Sequence, residues 1–213
     1  MRSQQSVIQQ KQKNRMTEDI FQKCKNLRER HIVYDPRTGD EMQRATLNHV
    51  PIYKYSELCD MANKHGPARM LANMFKRSNS NVVLLQDPKN MNSGHWISVS
   101  RNLPRKEIYF FSTYGGKPDV EKVQWIKEDD LWESGQMMNI FNDGLREMQK
   151  HGWEIHYNDF PYQKSGDKTA VCGIYTAAFL RSGEDPEKFE QETKYLARHG
   201  INPAVFYYDK YFT

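Results

Sequence analysis

Apolar side chains recur every three or four residues in several stretches of the chain, which is the period of an amphipathic helix. This spacing predicts helices over residues 55–66, 66–78, about 133–150, 172–182 and 186–198. Ser56 is the predicted N-cap of the first helix, and Pro67 stands in the first turn of the second. We expect the apolar faces of these helices to pack into the core.

Short apolar or alternating runs between these helices predict strands. The runs cover residues 81–86, 95–102, 107–116 and 153–160. The second run alternates between two faces, with Ile97 and Val99 on the side opposite Trp96. Because a turn containing Pro104 joins the second and third runs, we expect them to pair as antiparallel neighbours. Short strands interspersed unevenly with helices indicate a mixed α+β fold.

The N-terminal segment differs from the rest of the chain. Residues 1–25 show little apolar periodicity and are rich in Gln, Lys and Asn, so we interpret them as disordered or only marginally helical. They would form a flexible tail before one domain of residues 26–213. Among the first 30 residues, eight Lys and Arg stand against three Asp and Glu, an excess that accounts for the net charge of +4. The simplest interpretation is a solvated leader. The alternative is a weak contact with nucleic acid or a partner protein.

The composition limits the class of protein. With 38% hydrophobic residues, a chain of 213 residues can bury one substantial core, and the mean hydropathy of −0.89 indicates a strongly polar surface. No run approaches the roughly 18 apolar residues of a membrane span, and the N-terminus lacks the apolar segment of a secretory signal. We therefore expect the protein inside a cell or a virion.

The three cysteines, Cys24, Cys59 and Cys172, form no CxxC pair, which argues against a disulfide framework and against a zinc site. Cys172 is unusual because it precedes Gly173 at the start of a predicted helix. A helix N-terminus stabilises a thiolate, and a glycine there would let a substrate carbonyl approach the backbone N–H groups. The alternative is that Cys172 is a small core residue.

A cysteine nucleophile needs a base, and His95 is the candidate. It follows a Gly-containing loop at the head of the predicted strand 95–102, where an imidazole can project into a cleft. Five of the other histidines lie near predicted loops or helix ends, and we interpret them as surface residues. The remaining one, His156, lies within the predicted strand 153–160, where it can face solvent.

The stretch HWISVSRNLPRKEIYFFSTYGG, followed downstream by AVCGIYTAAFL, resembles the adenain-like cysteine proteases. These include the adenovirus maturation protease and its relatives in virophages, and more distantly the SUMO-deconjugating proteases. The shared features are His-Trp opening a strand, an aromatic strand ending in Gly, and a late Cys-Gly entering an apolar helix, in that order. The resemblance covers about residues 80–182. It implies a papain-like or adenain-like mixed sheet flanked by helices, with no metal and no organic cofactor.

On this resemblance, Cys172 would be the nucleophile and His95 its general base and then acid. Gln163 would donate its side-chain amide to the oxyanion. It precedes the cysteine by nine residues, a longer separation than is usual in the family, which implies a small insertion within KSGDKT. Trp96 would pack beside the cleft, and Gly173 would line it.

One position departs from the family pattern. Where the family carries Asp, Glu or Asn to orient the histidine, this chain has Ser112. A serine hydroxyl can hold the imidazole tautomer but supplies no negative charge, so the pair would behave as a Cys-His dyad. Asp119, in the following turn, is the alternative partner.

The resemblance implies a cysteine endopeptidase that cleaves viral capsid or core precursor proteins during virion maturation. Its setting would be the virion or the host cell interior, with DNA or a peptide as candidate activators and no membrane involved. Two alternatives stay open. The chain could be a ubiquitin-like-protein deconjugase or an acyltransferase of the same clan. Because the acidic residue is missing, it could also be a catalytically inactive virion scaffold.

Overall fold

The structure is a computed structural model, which describes residue 18 and residues 22–47, 49–164 and 169–213. Residues 22–34 are helical and are named α1. The other helices are α2 (Gly39–Ala45), α3 (Tyr55–His65), α4 (Pro67–Arg77), α5 (Lys122–Trp125), α6 (Glu128–Glu133), α7 (Ile140–Lys150), α8 (Cys172–Arg181), α9 (Pro186–Arg198) and α10 (Pro203–Tyr211). The strands are β1 (Ile52–Lys54), β2 (Ser80–Asp87), β3 (Asn90–Asn102), β4 (Glu107–Ser112) and β5 (Glu154–Tyr157). Within the described ranges, no helix is long and apolar enough to cross a bilayer.

The strands form one mixed sheet in the order β1-β2-β3-β4-β5. The outer pairs, β1 with β2 and β4 with β5, are parallel, while β2, β3 and β4 are mutually antiparallel. The predicted antiparallel pairing of the two central runs is confirmed, with Ile97 directly opposite Ser112. Helices pack on both faces of the sheet. The predicted α+β class, a mixed sheet flanked by helices, is therefore confirmed.

The alternation along β3 decides which helices cover each face. Ile97 and Val99 belong to the large apolar cluster that contains α3, α4 and α7. Trp96 belongs to a separate cluster with Cys172 and Ala177 of α8. Ser98 and Ser100 share the face of Trp96 and are fully buried, so their small side chains let α8 lie close to the sheet. This packing brings the start of α8 against the centre of β3.

Several predicted helix boundaries are confirmed and others are wrong. Pro67 is the first residue of α4, as predicted. The prediction of Ser56 as an N-cap is wrong, because α3 begins at Tyr55 and its N-cap is Lys54. The Ser56 hydroxyl instead donates to Oε1 of Gln86 at 2.6 Å. The helix predicted from about residue 133 begins only at Ile140, since Gly135 has a φ of +70° that no helix continues.

Strand β3 begins at Asn90, five residues before the predicted start, so His95 lies inside the strand and not at its head. Gly94 explains how the chain extends through this region. It has a φ of +151°, and a Cβ there would lie 2.0 Å from the carbonyl oxygen of Leu85 on β2. Only glycine lets the two strands approach this closely, next to a bulge between Gln86 and Asp87.

The two ends of the chain hold elements that the periodicity did not predict. Helix α10 begins at Pro203 after the N-cap Asn202, and its Tyr207 is fully buried against Phe189 of α9. At the other end, α1 includes residues 22–25 of the segment that was predicted to be a flexible tail. Residues 1–17 of that segment lie outside the described residues.

Candidate active site

Cys172 is the first residue of α8, as the sequence predicts, and its side chain is buried. Burial raises the pKa of the Cys172 thiol above its usual range, so the thiol is neutral at neutral pH. The backbone N–H groups of Trp96, Gly173 and Cys172 itself act on the sulfur and oppose this rise only in part. The expected stabilisation of a thiolate by the helix N-terminus is therefore present but outweighed.

The packing around residue 173 leaves no room for a side chain and therefore requires glycine. A Cβ there would lie 2.8 Å from Cβ of Arg37 and 3.0 Å from Sδ of Met42, so the glycine lets the segment around α2 lie on α8. The approach of a substrate to its backbone N–H stays a prediction.

His95 is only 3% exposed, and two neighbours fix its ring. Nε2 lies 3.0 Å from Oγ of Ser112, and the ring stacks on Tyr114 with centroids 4.5 Å apart. Burial lowers the pKa of His95 to about 3, so the imidazole is neutral at neutral pH. When Nε2 carries the proton and donates it to Ser112, Nδ1 is the nitrogen with a free lone pair.

Ser112 is the last residue of β4, and its backbone is held by a residue that sequence reasoning missed. The side-chain amide of Asn158 accepts from the Ser112 N–H at 3.1 Å and donates to the Ser112 carbonyl at 2.8 Å. Asn158 follows β5 directly and is buried. A polar residue immediately after a strand was the available signal, but only the parallel pairing of β4 with β5 shows what it contacts.

Asp119, the alternative partner for the histidine, makes its contacts elsewhere. One carboxylate oxygen accepts from the hydroxyl of Tyr55 at 2.5 Å, and the other accepts from the backbone N–H of Asn142 at 2.8 Å. Tyr55 belongs to the large apolar cluster, and Asn142 lies on α7, whose buried residues belong to the same cluster. Of the two candidates, Ser112 is the one that contacts His95.

Trp96 joins three parts of the site. Its indole N–H donates to the backbone carbonyl of Arg37 at 2.9 Å, and its own carbonyl accepts from the hydroxyl of Thr176 on α8 at 3.0 Å. The side chain is buried, so in this state it anchors β3 to α8 and to the start of α2. Its predicted place beside a substrate cleft stays a prediction.

Gln163 is buried, and its amide is engaged at both ends. Nε2 donates to the carbonyl of Thr169 at 2.6 Å, while Oε1 accepts from the hydroxyl of Thr113 at 3.2 Å. Donation to an oxyanion would require the amide to leave Thr169. The predicted insertion in KSGDKT includes residues 165–168, which lie outside the described residues.

Arg37 is a further residue of the site that the sequence did not reveal. Its guanidinium donates to the carbonyls of His31 and Asp35 and pairs with Glu41, and its side chain is only 1% exposed. Its positive charge partly opposes the rise in the pKa of the Cys172 thiol. No local pattern predicts this role, because it follows from α2 packing on α8.

Among the residues that the structure describes, neither Cys172 nor His95 belongs to a group of three side chains that could hold an ion. The chemistry available to these residues is proton transfer and nucleophilic attack by sulfur.

Comparisons with known proteins found matches among solved structures. No protein-family model matches the chain, and no curated protein matches it. The SUMO protease Ulp1 with its catalytic cysteine oxidised to a sulfinic acid is 16% identical, with a TM-score of 0.35. The match covers 67% of this chain and 62% of that one, so the chain spans about three fifths of the Ulp1 chain.

Two further structures show similar matches. The C-terminal Ulp1 protease domain in complex with Smt3, the yeast orthologue of SUMO, is 15% identical, with coverage of 67% and 62% and a TM-score of 0.35. The central domain of the uncharacterised protein Lpg1148 from Legionella pneumophila is 13% identical, with a TM-score of 0.40. That match covers 83% of this chain and 96% of the Legionella domain.

Proposed function

We propose that the protein is a cysteine peptidase that hydrolyses peptide bonds through a thioester at Cys172. One observation carries the proposal. The Cys172 thiol lies against the backbone N–H of Trp96, the residue that directly follows His95, and the ring of His95 is held by Ser112. We infer that the thiol at the start of α8 and the imidazole of β3, which Ser112 of β4 holds, act on the same substrate.

The reaction would begin from a neutral pair. Nδ1 of His95 takes the proton of the Cys172 thiol while the sulfur bonds to the substrate carbonyl carbon, whose π electrons move to oxygen. Collapse of this intermediate breaks the C–N bond, and the protonated imidazole gives its proton to the leaving amine. Water then attacks the thioester, His95 again accepts a proton, and the acid product leaves as the thiol re-forms.

The oxyanion would be stabilised by N–H groups at the start of α8, which face the sulfur already. Gln163 would add its side-chain amide after releasing the carbonyl of Thr169. Substrate binding would therefore have to break the contact between the Gln163 amide and the Thr169 carbonyl.

The finer proposal concerns the substrate. We take it to be a viral capsid or core precursor, cleaved during maturation inside the virion or the host cell, with DNA or a peptide as a candidate activator. This step is supported by the similarity of HWISVSRN and AVCGIYTAAFL to the adenain-like proteases and by the basic N-terminal residues. Deconjugation of a ubiquitin-like protein is the alternative within the clan, and it would use the same thiol.

The experiment compares cleavage by the full chain with cleavage by Cys172→Ala. Candidate capsid precursors and ubiquitin-like proteins conjugated to a fluorophore serve as the two substrate classes. Cys59→Ala is the matched control, because Cys59 is also a buried free cysteine but lies in the cluster beneath α3. We expect Cys172→Ala to abolish cleavage and Cys59→Ala to retain it. Equal cleavage by wild type and Cys172→Ala would refute the proposal.

A catalytically inactive scaffold is the second candidate, and two features of the site favour it. The thiol is buried with a raised pKa, and the amide of Gln163 is bonded to Thr169. An inactive domain would cleave neither substrate class. It would also fail to form a covalent adduct at Cys172 with a peptide that carries an electrophilic carbonyl, whereas the peptidase would form one.

A further inference from the structure

A group of polar side chains lies on strands β4 and β5, at the opposite end of β4 from Ser112. Glu107 is the first residue of β4 and stands directly opposite Glu154 in the parallel register with β5. His156 follows two residues after Glu154, on the same face of that strand. One ligand atom from each of these three residues lies within 4.8 Å of the other two.

The two glutamates of this group carry charges of the same sign on neighbouring strands. Two carboxylates directly opposite each other on neighbouring strands destabilise the pairing. Arg105 pairs with Glu107, with Nη1 3.9 Å from Oε2, but the arginine side chain is 70% exposed, so its effect is small. A bound cation would turn this repulsion into attraction.

The histidine is prepared to act as a ligand. Its Nε2 is buried and has no hydrogen-bond partner among the described residues, although Oε1 of Glu154 is 3.5 Å away. The ring stacks on Tyr109 with centroids 5.1 Å apart, which fixes its orientation. The hydroxyl of Tyr109 in turn donates to Glu107, so one residue positions two of the three candidate ligands.

We propose that Glu107, Glu154 and His156 bind one divalent transition-metal ion, with Zn²⁺ as the commonest fit for two carboxylates and an imidazole. Zinc bonds of roughly 2.0–2.2 Å in a tetrahedron hold the ligand atoms about 3.3–3.6 Å apart, so a spread of up to 4.8 Å needs only small rotations of the side chains. The exposed side of Glu154 leaves room for water as the fourth ligand. The ion would tie the edge strand β5 to β4, and this inference does not depend on the proposed peptidase activity.

The test is a Zn²⁺ titration of the full chain by calorimetry, in a Cys24→Ser, Cys172→Ala background that removes the exposed thiol and the proposed nucleophile. We expect one equivalent to bind and the melting temperature to rise with Zn²⁺. Co²⁺ in place of Zn²⁺ should give a spectrum without the charge-transfer band of a thiolate ligand. Because this background lacks the proposed nucleophile, the metal-binding result does not depend on the outcome of the cleavage experiment.

Three variants in the same background decide which residues bind the ion. His156→Asn and Glu154→Gln should lose the bound equivalent, while Tyr109→Phe should weaken it by roughly 10-fold. His151→Asn is the matched control, because Nε2 of His151 also lies 3.5 Å from a glutamate oxygen, that of Glu147, but without a second carboxylate. Binding by His156→Asn that equals binding by His151→Asn would overturn the proposal, as would no binding by the parent protein.

Discussion

The two residues proposed to carry the chemistry are both held neutral by burial. The pKa of His95 is lowered to about 3 and that of the Cys172 thiol is raised. A site of this kind cannot rest as a thiolate–imidazolium pair, so the proton must pass to the imidazole as the sulfur attacks. Which ring nitrogen is free to accept it depends on the contact between Nε2 and Ser112.

The role of Ser112 can be measured by removing its hydroxyl. We expect Ser112→Ala to lower kcat/KM by about 2- to 10-fold, because one neutral hydrogen bond contributes roughly 0.5–1.5 kcal/mol. Most of the loss should fall on kcat, since the hydroxyl positions the base and does not contact substrate. The measurement is steady-state kinetics on whichever substrate the full chain cleaves.

Ser98→Ala is the control for that experiment. Ser98 is another buried serine in the sheet, but its hydroxyl has no hydrogen-bond partner among the described residues. Its removal should leave kcat and KM unchanged. If Ser112→Ala behaves like Ser98→Ala, the serine does not orient His95.

At the scale of elements, local patterns predicted what local interactions decide. Pro67 starts α4 and the alternation around Trp96 gives β3 its two faces, because both depend on residues within a few positions. Strand β1 has three residues and exists through its parallel pairing with β2, so no period could reveal it. The start of β3 at Asn90 likewise depends on the close approach to Leu85.

The candidate site also combines features that local sequence decides with features that depend on distant contacts. The positions of His95 and Cys172 follow from short motifs, and the contact of His95 with Ser112 follows from strand register. The burial of Arg37 and the bond from Gln163 to Thr169 depend on how distant segments pack. Sequence spacing therefore indicated the proposed nucleophile and base, but not the contacts that set their pKa values and hold the Gln163 amide.

The close approach of β2 and β3 gives a prediction about the element that carries His95. A Cβ at residue 94 would meet a carbonyl oxygen of β2 at 2.0 Å, so Gly94→Ala must push the strands apart or distort β3. We expect the free energy of unfolding to fall by about 2 kcal/mol or more. Urea denaturation followed by tryptophan fluorescence measures this change.

Gly116→Ala separates crowding from backbone strain. Gly116 also has a positive φ, +87°, but a Cβ there would meet nothing within 4 Å. Its substitution should cost only the strain of that conformation, about 1 kcal/mol. Equal losses in the two variants would show that the approach of Leu85 to residue 94 does not limit the substitution.

At the scale of the whole molecule, a buried polar group around Lys122 lies on the face of the sheet that α3, α4 and α7 cover. Lys122 donates to the backbone carbonyls of Gln136, Met137 and Met138 and lies in the core beside Asp119. These bonds fix the segment between β4 and α7 to the cluster under α3. Glu121 is buried in the same region, and neither of its carboxylate oxygens has a hydrogen-bond partner among the described residues.

Glu121 should make the stability of the whole domain depend on pH. Burial, with a smaller contribution from the charge of Asp119, raises its pKa from 4.5 to about 8. The folded state therefore holds one more proton than the unfolded state between these values, and the stabilisation present below pH 4.5 is lost as the pH rises through about 8. We expect Glu121→Gln to remove this part of the decline in stability, which is at most about 1.4 kcal/mol per pH unit.

Chemical denaturation between pH 5 and 8.5 measures this decline, and Glu133→Gln, at an exposed position, is the control. If the free energy of unfolding falls with pH as steeply in Glu121→Gln as in Glu133→Gln, the pH dependence belongs to other groups.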